Sequence, residues 1–127
     1  MKRTVTLLSL AAAVTAAAIP VTADAKGGSG TRVSGACSGG VVSKLKAKHD
    51  NGRLEVEFEV DSNRSGQAWR VVIKRGGSAV YRATKTTGGP SGSFTARKLT
   101  RNGAGIETIS ARATGPGGRV CTAKLRI

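Results

Sequence analysis

Three sets of side chains in this sequence could do chemistry: the lone His49 beside Asp50, the pair Cys37 and Cys121, and Glu55, Glu57 and Glu59 at two-residue spacing. A histidine can act as general base for a serine or cysteine nucleophile. His49, however, sits against the tight-turn dipeptide Asn51-Gly52, and both cysteines are expected to be oxidised, which leaves it no thiol to activate. The three glutamates, if on a strand, share one face at steps of about 7 Å, a separation that paired-carboxylate glycosidases use. Each is expected to face a lysine, which would keep it ionised and unfit as a general acid. One histidine, no free thiol pair and no clustered aspartate loop make no metal site. The residues therefore predict a protein that is not an enzyme and carries neither cofactor nor metal.

The compartment follows from the N-terminus. Met1-Lys2-Arg3 is cationic, Val5 to Ile19 is apolar, and Ala23-Asp24-Ala25 offers small residues at the positions a signal peptidase reads. Residues 1–25 are expected to be a cleavable signal peptide, too short in its apolar run for the roughly 20 residues of a membrane span. The mature chain is then a secreted or cell-wall-associated monomer. Export makes a Cys37–Cys121 disulfide the expectation, since two cysteines allow one pairing. Closing a loop of about 85 residues contributes on the order of 4 kcal/mol. A lipidated Cys37 is the rival reading, but Val33-Ser34-Gly35-Ala36 lacks the leucine such a signal carries three residues before cysteine.

Around these residues the periodicity is two. Leu54, Val56, Phe58 and Val60 alternate with Arg53, Glu55, Glu57 and Glu59, and Trp69, Val71 and Ile73 alternate with Arg70, Val72 and Lys74. Further runs cover about 79–86, 93–99, 106–114 and 119–127. Asn51-Gly52, Gly76-Gly77, Gly88-Gly89-Pro90, Asn102-Gly103 and Gly115-Pro116-Gly117-Gly118 punctuate them. Seven short strands in about 90 residues predict an all-β, antiparallel two-sheet sandwich over 37–127. Residues 26–36, polar and glycine-rich, are expected to be a leader with no order of their own.

The first hairpin can be registered from the sequence. A two-residue type I′ turn at Asn51-Gly52 pairs Lys48 with Glu55, Lys46 with Glu57 and Lys44 with Glu59 on one face. On the other it pairs His49 with Leu54, Ala47 with Val56 and Leu45 with Phe58. Charge complementarity and apolar alternation select the same register. A three-residue loop at Pro116-Gly117-Gly118 likewise sets Ile109, Ala111 and Ala113 opposite Leu125, Ala123 and Cys121.

From about Val41 to Ile127, with Trp69 in the third strand, this pattern resembles immunoglobulin-like and fibronectin-type-III-like domains, with strands A-B-C-C′-E-F-G. It departs from antibody domains in placing its cysteines at the two ends rather than in strands B and F. The run Leu54 to Arg64 followed by Trp69-Arg70-Val71 is similar to small secreted proteins of actinobacteria. The resemblance implies a fold and no activity.

Charge supplies the functional expectation. The chain has 21 Lys and Arg against 7 Asp and Glu, a net +14. Without Lys2, Arg3 and Asp24 the mature part keeps 19 against 6, a net +13. The first hairpin nearly neutralises itself, so the excess must lie elsewhere. Arg70, Lys74, Lys85, Arg112, Lys124 and Arg126, with Tyr81 among them, are expected on the outer face of the C-C′-F-G sheet, with no carboxylate beside them. Such a face suits anionic polymers: teichoic acid, acidic polysaccharide or extracellular nucleic acid. A secreted effector, either a protease inhibitor or a cationic antimicrobial protein, is the alternative, with the loops 88–93 and 100–105 as its surface.

Overall fold

The computed structural model describes residues 30–127, all β apart from one 3₁₀ turn. The expected signal peptide, 1–25, lies outside the described residues. The strands are β1 (Gly30–Ser34), β2 (Ala36–Cys37), β3 (Val42–Asp50), β4 (Arg53–Asp61), β5 (Ala68–Arg75), β6 (Ser78–Thr86), β7 (Ser93–Arg101), β8 (Thr108–Thr114) and β9 (Val120–Arg126). They form two antiparallel sheets, one ordered β1-β3-β4-β7 and the other β2-β9-β8-β5-β6.

The β3–β4 hairpin has the register read from its charges: Lys48 opposite Glu55, Lys46 opposite Glu57, Lys44 opposite Glu59, and Leu45 opposite Phe58. Asn51 and Gly52 both take positive φ, 48° and 75°, as a type I′ turn requires. The β8–β9 pairing sets Ile109, Ala111 and Ala113 opposite Leu125, Ala123 and Cys121. The core fills from alternate positions of both sheets: Leu45, Leu54, Val56, Phe58 and Val60 face Trp69, Val71, Ile73 and Ile109. Each such large side chain, fully buried, contributes about 1.5–3 kcal/mol. Trp69 lies at one end of this layer, its ring 6.5 Å from that of Phe94.

The leader without order is a correction in its described part. Gly30–Ser34 pairs along β3, and Ala36–Cys37 along β9. The reason is an edge that would otherwise stand open: Val33 packs beside Leu45 and against the core, while Arg32 lies outward beside Lys46. The chain crosses from one sheet to the other at Gly35, whose N–H donates to the Ser43 carbonyl at 2.9 Å. A Cβ at Gly35 would collide with the Ser43 side chain and stand 2.9 Å from the Thr122 carbonyl oxygen. One side of the sandwich is thus closed by chain, while the other ends on the edge strands β6 and β7.

Cys37 and Cys121 are bonded to each other and stand directly opposite in the β2–β9 register, with Cα atoms 4.1 Å apart. The disulfide fastens neighbours in one sheet, 84 residues apart in sequence. Ser43 places its hydroxyl 3.2 Å from Cys37 Sγ.

Candidate basic sheet face

Pairing in a sheet assigns faces, because residues opposite one another point the same way and alternate along each strand. On β5, Trp69, Val71 and Ile73 are buried, so Arg70, Val72 and Lys74 point outward. Val72 pairs with Arg112 of β8 on one side and with Arg82 of β6 on the other. Arg112 pairs with Thr122 of β9, and Lys124 and Arg126 follow at alternate positions of that strand. Arg70, Lys74, Arg82, Arg112, Lys124 and Arg126 therefore share the outer face of the five-stranded sheet, and all are exposed. Among the described residues none of these six forms an ion pair, and no aspartate or glutamate occupies an outward position of that sheet.

Five of the expected cations are here, and two expected residues are not. Lys85 pairs with Trp69 and Tyr81 with Ile73, so both lie on the core side of β6. Tyr81 packs, half-buried, against the core. The cause is a bulge. Arg75 pairs with Ser78 and Lys74 with Ala79, but Ile73 pairs with Tyr81, leaving Val80 as an extra residue on the edge strand. Counting back from the Gly76-Gly77 turn without that bulge sets Tyr81 opposite Val72 and Lys85 opposite Ala68, both outward. With it, Arg82 takes the outward place, a residue that plain alternation misses. The inward Lys85 is not wasted, since a lysine turned in at a sheet edge discourages strand addition by another chain.

The face is concave. Its hollow, about 640 Å³, is lined by Val72, Ser110 and Thr122 interspersed with Lys74, Arg82, Arg112 and Lys124, with Ser34 and Ala36 from the segment where the chain changes sheets. Arginines can hold phosphate or carboxylate through two parallel hydrogen bonds, and lysines act as point charges. The hydroxyls of Ser110 and Thr122 add neutral donors between them.

The outer face of the four-stranded sheet differs. Glu55, Glu57 and Glu59 run down its centre, flanked by Lys44, Lys46 and Lys48 on β3 and by Arg97 on β7. Arg97 meets Glu57 at 2.6 Å and Glu55 at 3.7 Å, while Lys48 stands 3.8 Å from Glu55. Partial burial pushes the Glu57 carboxyl up, but hydrogen bonding with Glu55 and the charges of Arg97 and Lys46 outweigh it and hold the group below its ordinary value. A carboxyl held ionised in this way does not serve as a general acid. Arg97 was not singled out by the sequence, because it comes from a strand 40 residues away.

His49 pairs with Leu54 on the core side of β3, half-buried, with Nδ1 unpartnered. Among the described residues, no three His, Cys, Asp or Glu side chains gather as a metal site, and no helix is long and apolar enough to cross a membrane. Compared with known proteins, the chain matches no family model, no curated protein and no solved structure.

Proposed function

We propose that this protein is a secreted, non-catalytic binding module whose basic sheet face holds anionic polymers of the cell envelope or its surroundings. The observation that carries this reading is the segregation of charge between the two sheets. Six cations without a carboxylate face outward from one sheet, whereas the other interleaves its cations with glutamates. A general excess of Lys and Arg would be spread over both. A concave surface of one sign concentrates its field and draws polyanions from solution.

The fold we infer is immunoglobulin-like in the fibronectin-type-III manner. Lettering β3 to β9 in chain order as A, B, C, C′, E, F and G puts A-B-E in one sheet and C′-C-F-G in the other. In this architecture the basic face is the outer side of the C′-C-F-G sheet, and among the described residues no layer packs on it. The disulfide that ties β2 to β9 suits work outside the cell.

The test compares two triple variants at matched ionic strength. Arg112→Gln/Lys124→Gln/Arg126→Gln removes three unpaired cations from the basic face. Lys44→Gln/Lys46→Gln/Lys48→Gln removes the same formal charge from positions opposite glutamates. Retention on heparin resin should fall more for the first, and its salt dependence should flatten, because fewer anionic groups are neutralised and fewer counterions released. Equal losses would reduce the basic face to a solvated surface.

A further inference from the structure

The registers place five of the six cations in two diagonal rows, with Arg126 beyond them on β9. Lys124, Arg112 and Arg70 are successive diagonal neighbours across β9, β8 and β5, because Arg112 pairs with both Thr122 and Val72. Lys74 and Arg82 form a parallel diagonal across β5 and β6. Diagonal neighbours in a sheet are about 7–8 Å apart. From the strand spacing and rise, the two rows lie roughly 8 Å from one another. Between them runs a floor of Ser110, Val72 and Thr84, small or uncharged residues over which a chain can lie. Val72 alone has cations at all four of its nearest positions on the face: Arg82 and Arg112 across, Arg70 and Lys74 along its strand.

We propose, resting on the reading of this face as a polyanion site, that its ligand is a single slender phosphate-linked chain laid diagonally along this trough. A chain of that kind meets a cation first on one side and then on the other at a repeat comparable with its own. The narrow gap between the two cation rows argues against a rigid duplex, which would ride on the rows and leave the Ser110–Val72–Thr84 floor unfilled. Base-bearing single strands and ring polymers gain much of their affinity by stacking on aromatics. Among the described residues no aromatic points outward from this sheet, because the bulge at Val80 turns Tyr81 toward the core. What remains is phosphate recognition by three arginines and two lysines, with hydroxyls on the floor. Polyol phosphates and inorganic polyphosphate share that chemistry.

The experiment measures affinities of the mature protein for long-chain inorganic polyphosphate, a glycerol phosphate polymer, oligothymidylate and duplex DNA, at equal phosphate concentration and ionic strength. At least one of the first two should bind ten times or more tighter than duplex DNA and oligothymidylate, and the better of them identifies the source. Val72→Phe and, separately, Ser110→Phe keep every charge but fill the trough. Each should weaken binding of the slender chain at least tenfold and change duplex binding less than twofold, with thermal melting confirming the fold. Equal affinity for all four polymers, or trough-filling variants that bind as the parent does, would overturn the slender-chain assignment while leaving the basic face intact. If Arg112→Gln/Lys124→Gln/Arg126→Gln also bound every polymer as the parent does, the polyanion reading itself would fail.

Discussion

Arg97 donates from Nη2 to Glu57 Oε1 at 2.6 Å, across a pair of residues that stand opposite each other in the β4–β7 register. The same guanidinium lies 3.7 Å from Glu55, so one arginine of an edge strand ties two glutamates of the central strand. This pairing finishes what the lysines of β3 begin. The glutamate column has lysines on one side and Arg97 on the other, so the cations of the four-stranded sheet stand among carboxylates, unlike those of the basic face.

That arrangement predicts an acid-dependent loss of stability. The folded Glu57 carboxyl titrates below its ordinary value of 4.5, so as pH falls the unfolded chain takes up this proton first. The contribution is present above that value and is lost as pH falls through the lower folded one. Melting temperature recorded from about pH 6 down to about pH 3 should drop more steeply for the parent than for Glu57→Gln. Parallel curves would mean that the Arg97 pairing does not distinguish the two protonation states.

The same pairing ranks two charge pairs. Lys46 and Arg97 both stand opposite Glu57, but only Arg97 is within ion-pair distance. A double-mutant cycle for Arg97 and Glu57 should give a coupling of about 0.2–1 kcal/mol at low salt, larger than the cycle for Lys46 and Glu57. Glu57→Lys alone would set four cations, Arg32, Lys46, the new lysine and Arg97, in a row across the sheet and cost up to about 1 kcal/mol. A larger coupling to Lys46 would contradict the observed geometry.

The staple gives a prediction with a larger effect. Cys37 and Cys121 hold β2 against β9, and β2 has only two residues to pair with. The denatured, non-reduced protein should show no free thiol. Cys37→Ser should cost about 2–5 kcal/mol, as removal of a native disulfide from a small domain commonly does. In a domain of this size that lowers the melting temperature by about 10 °C or more. Two thiols per chain in the parent would sink the assignment.

How much of this was legible in the sequence depended on whether two independent signals agreed. In the β3–β4 hairpin, Asn51-Gly52 fixed the turn, and the lysine–glutamate and leucine–phenylalanine pairs fixed the same register, so faces and core came out right. The β8–β9 hairpin was legible for the same reason. In the β5–β6 hairpin the turn was visible, but Val80 carries no mark of a bulge, and one extra residue reversed every face beyond it. The β1 strand was hidden differently. Thr31 and Val33 do alternate with Arg32 and Ser34, but five residues amid glycines are a weak signal, and their reason to be extended is the edge of β3. Five of six face cations were found because they lie on strands without a bulge. Arg97 and Glu57 were not linked, because partners from distant strands leave no local trace.

One close approach tests the upper end of the core. The indole of Trp69 occupies the space where a side chain on Gly115 would begin. Gly115 has φ −115°, an ordinary extended value, so the requirement for glycine is steric and not conformational. Gly115→Ala should force the tryptophan aside and cost about 1–3 kcal/mol, the usual range for overpacking. Gly88, with open space around its Cβ position, is the control, and Gly88→Ala should stay within about 0.5 kcal/mol of the parent. Tryptophan fluorescence should shift for the first variant only. If both variants melt alike, the packing of Trp69 on Gly115 does not constrain the core.

The bulge at Val80 supplies the sharpest test of the basic face. Arg82 and Lys85 are three residues apart on one edge strand and carry the same charge, so net charge cannot tell them apart. Their positions do. Arg82 stands exposed beside Val72 in the lining of the hollow, whereas Lys85 is half-buried on the other side of the sheet, opposite Trp69. If anionic chains bind in the hollow, Arg82→Gln should weaken binding several-fold and lower the salt slope by roughly 0.7 to 0.9, because one phosphate is no longer neutralised. Lys85→Gln should leave both nearly unchanged. Plain alternation from the Gly76-Gly77 turn predicts the reverse, with Lys85 touching the ligand. Binding measured over a salt series for the two single variants therefore tests the register and the site together. A larger loss for Lys85→Gln would move the bulge or the ligand, and equal losses would show that the ligand responds to the charge of the whole protein and not to this face.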